Sequence, residues 1–139
     1  MSEPGGPKAA TIPSEEQIRA LVHGFYAKIR NDTELGPIFN AAIADWDPHL
    51  EKMCAFWSSV MRMSGRYHGN PMAAHLRLKR VEAAHFGRWL SLFDATAGEL
   101  FQPHLAAAFT GRAQTIARSL ELGMFYRARG HHSSQGEPA

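Results

Sequence analysis

The chain has 139 residues, of which 45% are hydrophobic and 20% charged, and its formal net charge is +2. This length and composition predict one soluble globular domain, and the absence of a dense lysine and arginine cluster argues against a nucleic-acid partner. The single cysteine, Cys54, excludes an intramolecular disulfide and favours a reducing compartment.

The two ends of the chain differ in composition from its middle. The first thirteen residues contain three prolines and two glycines without a periodic apolar pattern, and RARGHHSSQGEPA at the end is equally irregular. No segment resembles a signal peptide, and no apolar run approaches the roughly 18 residues of a membrane span. We therefore expect a flexible arm over 1–13, a folded domain over 14–126, a disordered tail over 127–139, and a cytoplasmic protein with no membrane partner.

The first helix is predicted to begin at Ser14, which forms a capping box with Gln17. Its apolar residues then follow at helical spacing: Ile18, Leu21, Val22, Phe25, Tyr26 and Ile29. The pattern ends at Asn31–Asp32. The segment LGPIF (35–39) is expected to be a compact turn, because glycine and proline interrupt a helix.

Asp47 and Pro48 predict the start of a second helix, with Asp47 as its cap and Pro48 at the first helical position. The apolar face that follows is wide and ends near Gly65; its members are Leu50, Met53, Cys54, Phe56, Trp57, Val60 and Met61. GRYHGNP (65–71) is predicted to be a loop, and a short element around Met72–Leu78 carries His75.

Two more helices are predicted from the periodicity of the remaining sequence. The first buries Phe86, Trp89, Leu90, Phe93, Ala97 and Leu100. Pro103 opens the last helix, whose expected buried face is Leu105, Phe109, Ala113, Ile116, Ala117, Leu120 and Met124. With no strand alternation in the chain, the fold class is all-α, with four substantial helices and short pieces between them.

Several kinds of site are absent from the sequence. It contains no Walker-type glycine loop and no HExxH, CxxC or CxxCH motif. A carboxylate-bridged di-iron bundle needs two Glu-x-x-His pairs, and the chain has only Glu82–His85. Cys54 lies in the apolar run MCAFW, which is typical of a packed small residue and not of a reactive thiol.

Histidine and aromatic residues remain as candidates for a site. His49 and His75 lie on successive elements and could face each other across a flat ligand, since neutral imidazole is an axial ligand of haem iron. The alternative is that both are ordinary polar residues near helix starts. Tyr26 and Trp89 lie on apolar faces, where the phenol and the indole need hydrogen-bond partners.

The sequence resembles the truncated haemoglobins, and more closely the third group of that family. The resemblance covers most of the predicted helical region in the family's order and is carried by FYAKIRNDTELGPIF (25–39), HLEKMCAFWSSVM (49–61), GRYHGNPMAAHLRL (65–78) and HFGRWLSLF (85–93). The glycine pairs that mark the other truncated groups after the first and second helices are missing, as in the third group. The resemblance implies a shortened globin fold, with helices in two layers around a haem, over 14–126.

The resemblance also assigns roles to individual residues. His75 matches the proximal ligand of the haem iron, whereas Tyr26, His49 and Trp89 match the polar distal residues that contact a bound ligand. Phe39 matches a phenylalanine that packs against the haem. The rest of the haem pocket is expected to comprise Phe25, Met53, Phe56, Trp57, Tyr67, Leu78, Phe86 and Ile116. Tyr67 and the cations Arg77, Lys79 and Arg80 are candidate partners of the haem propionates, although a solvated face explains the cations equally well.

The function implied is that of a globin with non-covalent haem b that binds O2, NO, CO or peroxide. Peroxidase-like or NO-detoxifying activity, with an unidentified reductase as partner, is the alternative, and no catalytic residue beyond Tyr26, His49 and Trp89 is expected. A helical interaction module without a cofactor is the more distant alternative. It explains the amphipathic helices but not why Tyr26, His49 and Trp89 all point inward.

Overall fold

The computed structural model describes residues 12–76 and 81–127, and this part of the chain is helical without β-strands. The predicted all-α class is confirmed. The helices are α1 (Glu15–Asn31), α2 (Leu35–Ala42), α3 (Trp46–Arg62), α4 (Pro71–Leu76), α5 (Ala83–Leu100) and α6 (Pro103–Glu121), and a π-helical segment, Leu122–Arg127, follows. Most of the predicted arm and tail, and the predicted residues Arg77, Leu78, Lys79 and Arg80, lie outside the described residues.

Helix α1 is central to the core. Ser14 and Gln17 form the predicted capping box, with each side chain bonded to the other residue's backbone N–H. All six predicted apolar residues of α1 are buried, from Ile18 to Ile29. The helix packs against α2, α3 and α5, and α5 packs in turn against α6. Short α4 lies against α6 and the π-helical segment.

The expected turn at LGPIF is instead the beginning of α2. Pro37 is compatible with this helix because it occupies the first turn, where a backbone N–H has no intrahelical partner. Gly36 is required by a close approach, since a Cβ there would lie 2.8 Å from the carbonyl oxygen of Arg30. The sequence interpretation was wrong here because it treated glycine and proline as breakers regardless of their position in the helix.

The connection between α1 and α2 is held by Asp32. One of its carboxylate oxygens accepts hydrogen bonds from the backbone N–H groups of Glu34 and Leu35 and from the Nε of Arg88 on α5, at 3.0, 2.8 and 2.7 Å. The Arg88 guanidinium and these backbone bonds lower the pKa of the Asp32 carboxyl to about 2. This residue therefore ties the α1–α2 connection to α5.

Helix α3 begins and ends earlier than predicted. It starts at Trp46, with Asp45 at the cap and no side-chain capping bond, and it ends at Arg62 with Met63 in the left-handed conformation (φ 57°). Trp46 and His49 are therefore three residues apart in one helical turn and lie on neighbouring positions of its surface. Among the other predicted core residues, Leu100 is 45% exposed because it lies at the end of α5.

None of the helices in the described ranges has both the length and the apolar composition needed to cross a bilayer.

Candidate functional site

A cavity of about 730 Å³ lies between the helices, within the usual range for small-molecule sites. Its walls include residues from α1, α2, α3, α4, α5 and α6 and from the loop before α4. The predicted site residues that line it are Tyr26, Phe39, His49, Met53, Phe56, Trp57, Tyr67, His75, Trp89 and Ile116. Residues far apart in the sequence are thus brought together around one space.

Two predicted pocket residues are placed differently, and a third is not among the described residues. Phe86 lines a smaller apolar pocket of about 40 Å³, which shares His75 and Trp89 with the main cavity. Phe25 is 1% exposed and lies in the core behind the cavity wall, with its ring edge-on to those of Tyr26 and Trp89 at 4.9 and 5.2 Å. Leu78 lies outside the described residues. Phe25 thus supports the wall and does not line the cavity.

His75 lies on α4, which begins at Pro71. Its Nδ1 is 2.7 Å from the carbonyl oxygen of Pro71. Because a carbonyl only accepts, Nδ1 carries the proton and the Nε2 lone pair is available to a metal ion. Burial lowers the pKa of His75, although the bond to Pro71 acts in the opposite direction. The structure therefore presents a neutral imidazole in the tautomer suited to metal coordination.

His49 lies in the first turn of α3. Its Nε2 is buried and has no hydrogen-bond partner among the residues that the structure describes. Burial lowers the pKa of His49, and it is lowered further by the positive charge of Lys52 and by that of His75 whenever His75 is protonated. A buried polar atom without a hydrogen-bond partner destabilises the fold, and such atoms are therefore rare in proteins. A ligand that supplies the missing hydrogen bond would account for it.

Tyr26 lies on the buried face of α1 and is 5% exposed. Its ring meets the His49 ring edge-on, with centroids 5.3 Å apart and planes at 90°. Burial raises the pKa of the Tyr26 phenol, so the hydroxyl remains a donor at neutral pH.

Trp89 lies on α5 and is held by aromatic contacts. Its ring stacks on that of Phe93 at 5.6 Å, with 18° between the planes, and meets the Phe25 ring edge-on. Three side chains with polar groups, from three different helices, thus line the same cavity: Tyr26, His49 and Trp89.

The loop before α4 is also fixed in place. The Tyr67 backbone N–H donates to Ser59 Oγ at 2.9 Å, and its ring packs edge-on against Phe56 with centroids 5.2 Å apart. A Cβ at Gly69 would meet the Tyr67 ring and hydroxyl, so the Tyr67 side chain keeps this position only with glycine at 69. Burial raises the pKa of Tyr67. These contacts bring Tyr67 to the cavity wall, as the sequence predicted.

Two residues near the site were missed in the sequence. Lys52 is the one cationic side chain among the described residues that line the cavity, and its position one turn after His49 is the signal that could have indicated it. Trp46 contacts His49 edge-on, at 5.5 Å and 89°. It was overlooked because the first helical residue of α3 was predicted to be Pro48, two residues after it.

The chain matches a family model and is similar to a characterised relative and to a solved structure. The family model of bacterial-like globins matches residues 10–121. The chain is 34% identical over 122 residues to the group 3 truncated hemoglobin of Campylobacter jejuni subsp. jejuni serotype O:2, and the match covers 85% of this chain and 95% of the relative. It is also similar to the crystal structure of a group III truncated hemoglobin from Campylobacter jejuni, with a TM-score of 0.78 and 32% identity over 81% of this chain and 92% of that chain.

Proposed function

The chain belongs to the bacterial-like globin family, as a truncated hemoglobin of the third group, and we propose that it binds O2 and other small ligands at a haem held by His75. The family is that of globin-type haem proteins. Non-covalent haem b is the form that this chain suits, because its only cysteine, Cys54, is 3% exposed in the core and offers no thioether bond.

The observation that carries the proposal is the hydrogen bond from His75 Nδ1 to the Pro71 carbonyl beside an aromatic-lined cavity of about 730 Å³. It leaves Nε2 of a partly buried, neutral imidazole available to a metal ion. When bound, the haem supplies an iron with an open coordination position and a redox couple. Phe39, Met53 and Phe56 supply the apolar contacts that a flat macrocycle requires.

The distal residues would act on the ligand as donors. The Trp89 indole N–H only donates, the Tyr26 hydroxyl can donate or accept, and His49 Nε2 donates or accepts according to its tautomer. Because His49 Nε2 has no partner among the described residues, a polar diatomic ligand in the cavity would relieve the desolvation of that nitrogen. A ligand with partial negative charge gains more from these donors than a neutral one.

The cofactor's carboxylates need partners as well. Lys52 provides a positive charge on the cavity wall, and Tyr67 provides a hydroxyl that burial keeps protonated. Either side chain could bind a propionate, and the Lys52 charge would be the stronger attraction because a charged donor forms the shorter and stronger bond. The candidate cations Arg77, Lys79 and Arg80 fall outside the described residues and stay predictions.

The convergence of three donors also favours a second function, peroxidase-like or NO-detoxifying chemistry. Donors aimed at one end of an O–O group could stabilise the charge that develops when the O–O bond breaks. Tyr26, His49 and Trp89 would be the residues responsible, and electrons would come from a reductase. Steady-state consumption of peroxide or NO by the haem-loaded protein, with a Tyr26→Phe variant as control, tests this alternative.

The absorption spectrum of the purified protein tests the main proposal. A haem-loaded globin has an intense band near the violet edge that shifts when the reduced protein is exposed to CO. A colourless protein that fails to take up added haemin would contradict the proposal and favour a cofactor-free helical module. Titration of the apoprotein with haemin, followed by this band, gives the stoichiometry, which we expect to be one haem per chain.

A further inference from the structure

The His49 imidazole forms a three-membered cluster with two aromatic rings that contact it edge-on and that also contact each other, at 5.8 Å between centroids. The Tyr26 centroid is 5.3 Å from the His49 centroid and the Trp46 centroid is 5.5 Å away, with interplanar angles of 90° and 89°. No described residue bonds to His49 Nε2. Packing against these two rings therefore contributes more to the inward orientation of the imidazole than hydrogen bonding of that nitrogen does.

Trp46 is itself held from two directions. Its indole Nε1 donates to Asn40 Oδ1 at 3.1 Å, and the Arg30 guanidinium lies 4.7 Å from the ring centroid. Asn40 in turn donates to the Arg30 carbonyl at 3.4 Å. Because Arg30 is on α1 and Asn40 on α2, the contacts link both of these helices to the first turn of α3.

The first turn of α3 needs such support. Asp45, its cap residue, makes no side-chain capping bond, so the free N–H groups of this turn are not satisfied by a cap. Helix ends of this kind open more readily than helix interiors. An imidazole on that turn can exchange its contact with the cavity for a hydrogen bond to water, unless a neighbouring side chain disfavours the change.

We propose that Trp46 is a positioning residue that holds the His49 imidazole in the cavity and thereby limits the entry of small ligands. The proposal rests on the proposed haem function and adds a residue to it. Its physical basis is the edge-to-face contact, which is lost when the imidazole turns outward. Without the Trp46 ring, the outward orientation gains population and the cavity becomes more accessible.

Flash photolysis of CO from the reduced, haem-loaded protein measures this access. Trp46→Ala should raise the bimolecular CO rate constant roughly two- to tenfold, the range expected for one aromatic pair. Trp46→Phe, which keeps a ring beside His49, should stay close to the wild type. In a His49→Leu background, Trp46→Ala should have no further effect, because there is no imidazole left to position.

A second readout does not depend on ligand binding. The carbethoxylation rate of His49 by diethyl pyrocarbonate, measured by peptide mass spectrometry, should rise by a similar factor in Trp46→Ala. Phe101→Ala removes another partly buried ring, which stacks on Phe109 at 5.2 Å, and serves as the control with no expected change at His49. Asn40→Ala, which removes the indole's acceptor, should give a smaller increase and supplies the test if Trp46→Ala does not fold.

The outcomes distinguish a failure of the proposed haem function from a failure of the role of Trp46. A wild-type chain that takes up no haem contradicts the proposed function. In a haem-loaded wild type, an equal effect of Trp46→Ala with and without His49, or unchanged His49 reactivity in Trp46→Ala and Asn40→Ala, overturns the role of Trp46 alone.

Discussion

The Nδ1 atom of His75 lies 2.7 Å from the carbonyl oxygen of Pro71, the first residue of the same short helix. The helix that carries the imidazole thus also supplies the acceptor that fixes its tautomer. A backbone acceptor of this kind survives substitution of the side chains around it. The availability of Nε2 to a metal therefore depends on the backbone of α4 and not on a second side chain.

Tyr26→Phe should accelerate O2 release from the haem-loaded protein. The variant keeps the ring packed against His49 and removes only the hydroxyl donor. A hydrogen bond to a charged acceptor contributes roughly 1.5–3 kcal/mol. Since each 1.4 kcal/mol is about a tenfold change, we expect release to be about ten- to a hundredfold faster, measured by stopped flow.

Trp89 is expected to share the ligand with Tyr26. The Tyr26→Phe and Trp89→Phe effects on O2 release should therefore be non-additive, because two donors compete for one acceptor. CO, a poorer acceptor, should respond less and serves as the control ligand. Unchanged O2 release in the double variant would mean that the polar cluster does not face the ligand.

His49→Leu should change the rate of CO association while haem remains bound. The imidazole lines the cavity from the first turn of α3, where motion is easiest. Flash photolysis measures the rate and the absorption spectrum reports the haem content. If no rate for any ligand changes, His49 has no part in the functional site.

Asp32→Asn should destabilise the fold by about 1–2 kcal/mol, because the carboxylate bonds two backbone N–H groups and Arg88. Its folded-state pKa of about 2 lies below the unfolded value of 3.8. The stabilisation is thus complete above pH 3.8 and is lost as the pH falls through 2. Urea unfolding of the wild type and Asp32→Asn should be measured between pH 6 and 3. The difference between their free energies of unfolding should stay constant over most of this range and become smaller only towards pH 3. Glu34→Gln is the control, since Glu34 is 58% exposed and 4.0 Å from Arg88, and should have little effect.

Gly36→Ala should lower stability, whereas Gly98→Ala should raise it. A Cβ at Gly36 would press on the Arg30 backbone, which cannot move aside as a side chain could, and the expected loss is about 1–3 kcal/mol. A Cβ at Gly98, inside α5, meets nothing within 4 Å and should add about 0.4–1 kcal/mol. Equal effects of the two changes in urea unfolding would contradict the close approach of α1 and α2.

The parts of the molecule with regular periodicity were predicted from the sequence. The buried face of α1 follows directly from apolar spacing. His75, Tyr26, His49 and Trp89 line one cavity, and the roles that the family resemblance implies for them stay predictions. Two other aspects are not tested by the fold. The assignment of an arm and a tail, and the cytoplasmic location, stay predictions.

Other features depend on contacts that leave no pattern in the sequence. The acceptor of the His75 proton is a backbone carbonyl, which every residue possesses, so nothing in the sequence distinguishes Pro71. Helix α2 was missed because the effect of Pro37 depends on its place in the helix. Trp46 was missed because a start at Asp47 and Pro48 placed it outside α3, where its spacing to His49 had no meaning.

Haem retention by a His75→Gly variant is the most direct test of whether His75 holds the haem. The control is His85→Gly, because His85 lines only the smaller neighbouring pocket and its Nδ1 accepts from the Glu82 backbone N–H. We expect His75→Gly to bind haem weakly and to have an altered ferrous spectrum, which added imidazole returns to that of the wild type. We expect His85→Gly to keep the wild-type spectrum. A His75→Gly protein that holds haem with the unchanged ferrous spectrum, without added imidazole, would contradict the proposal that His75 holds the haem.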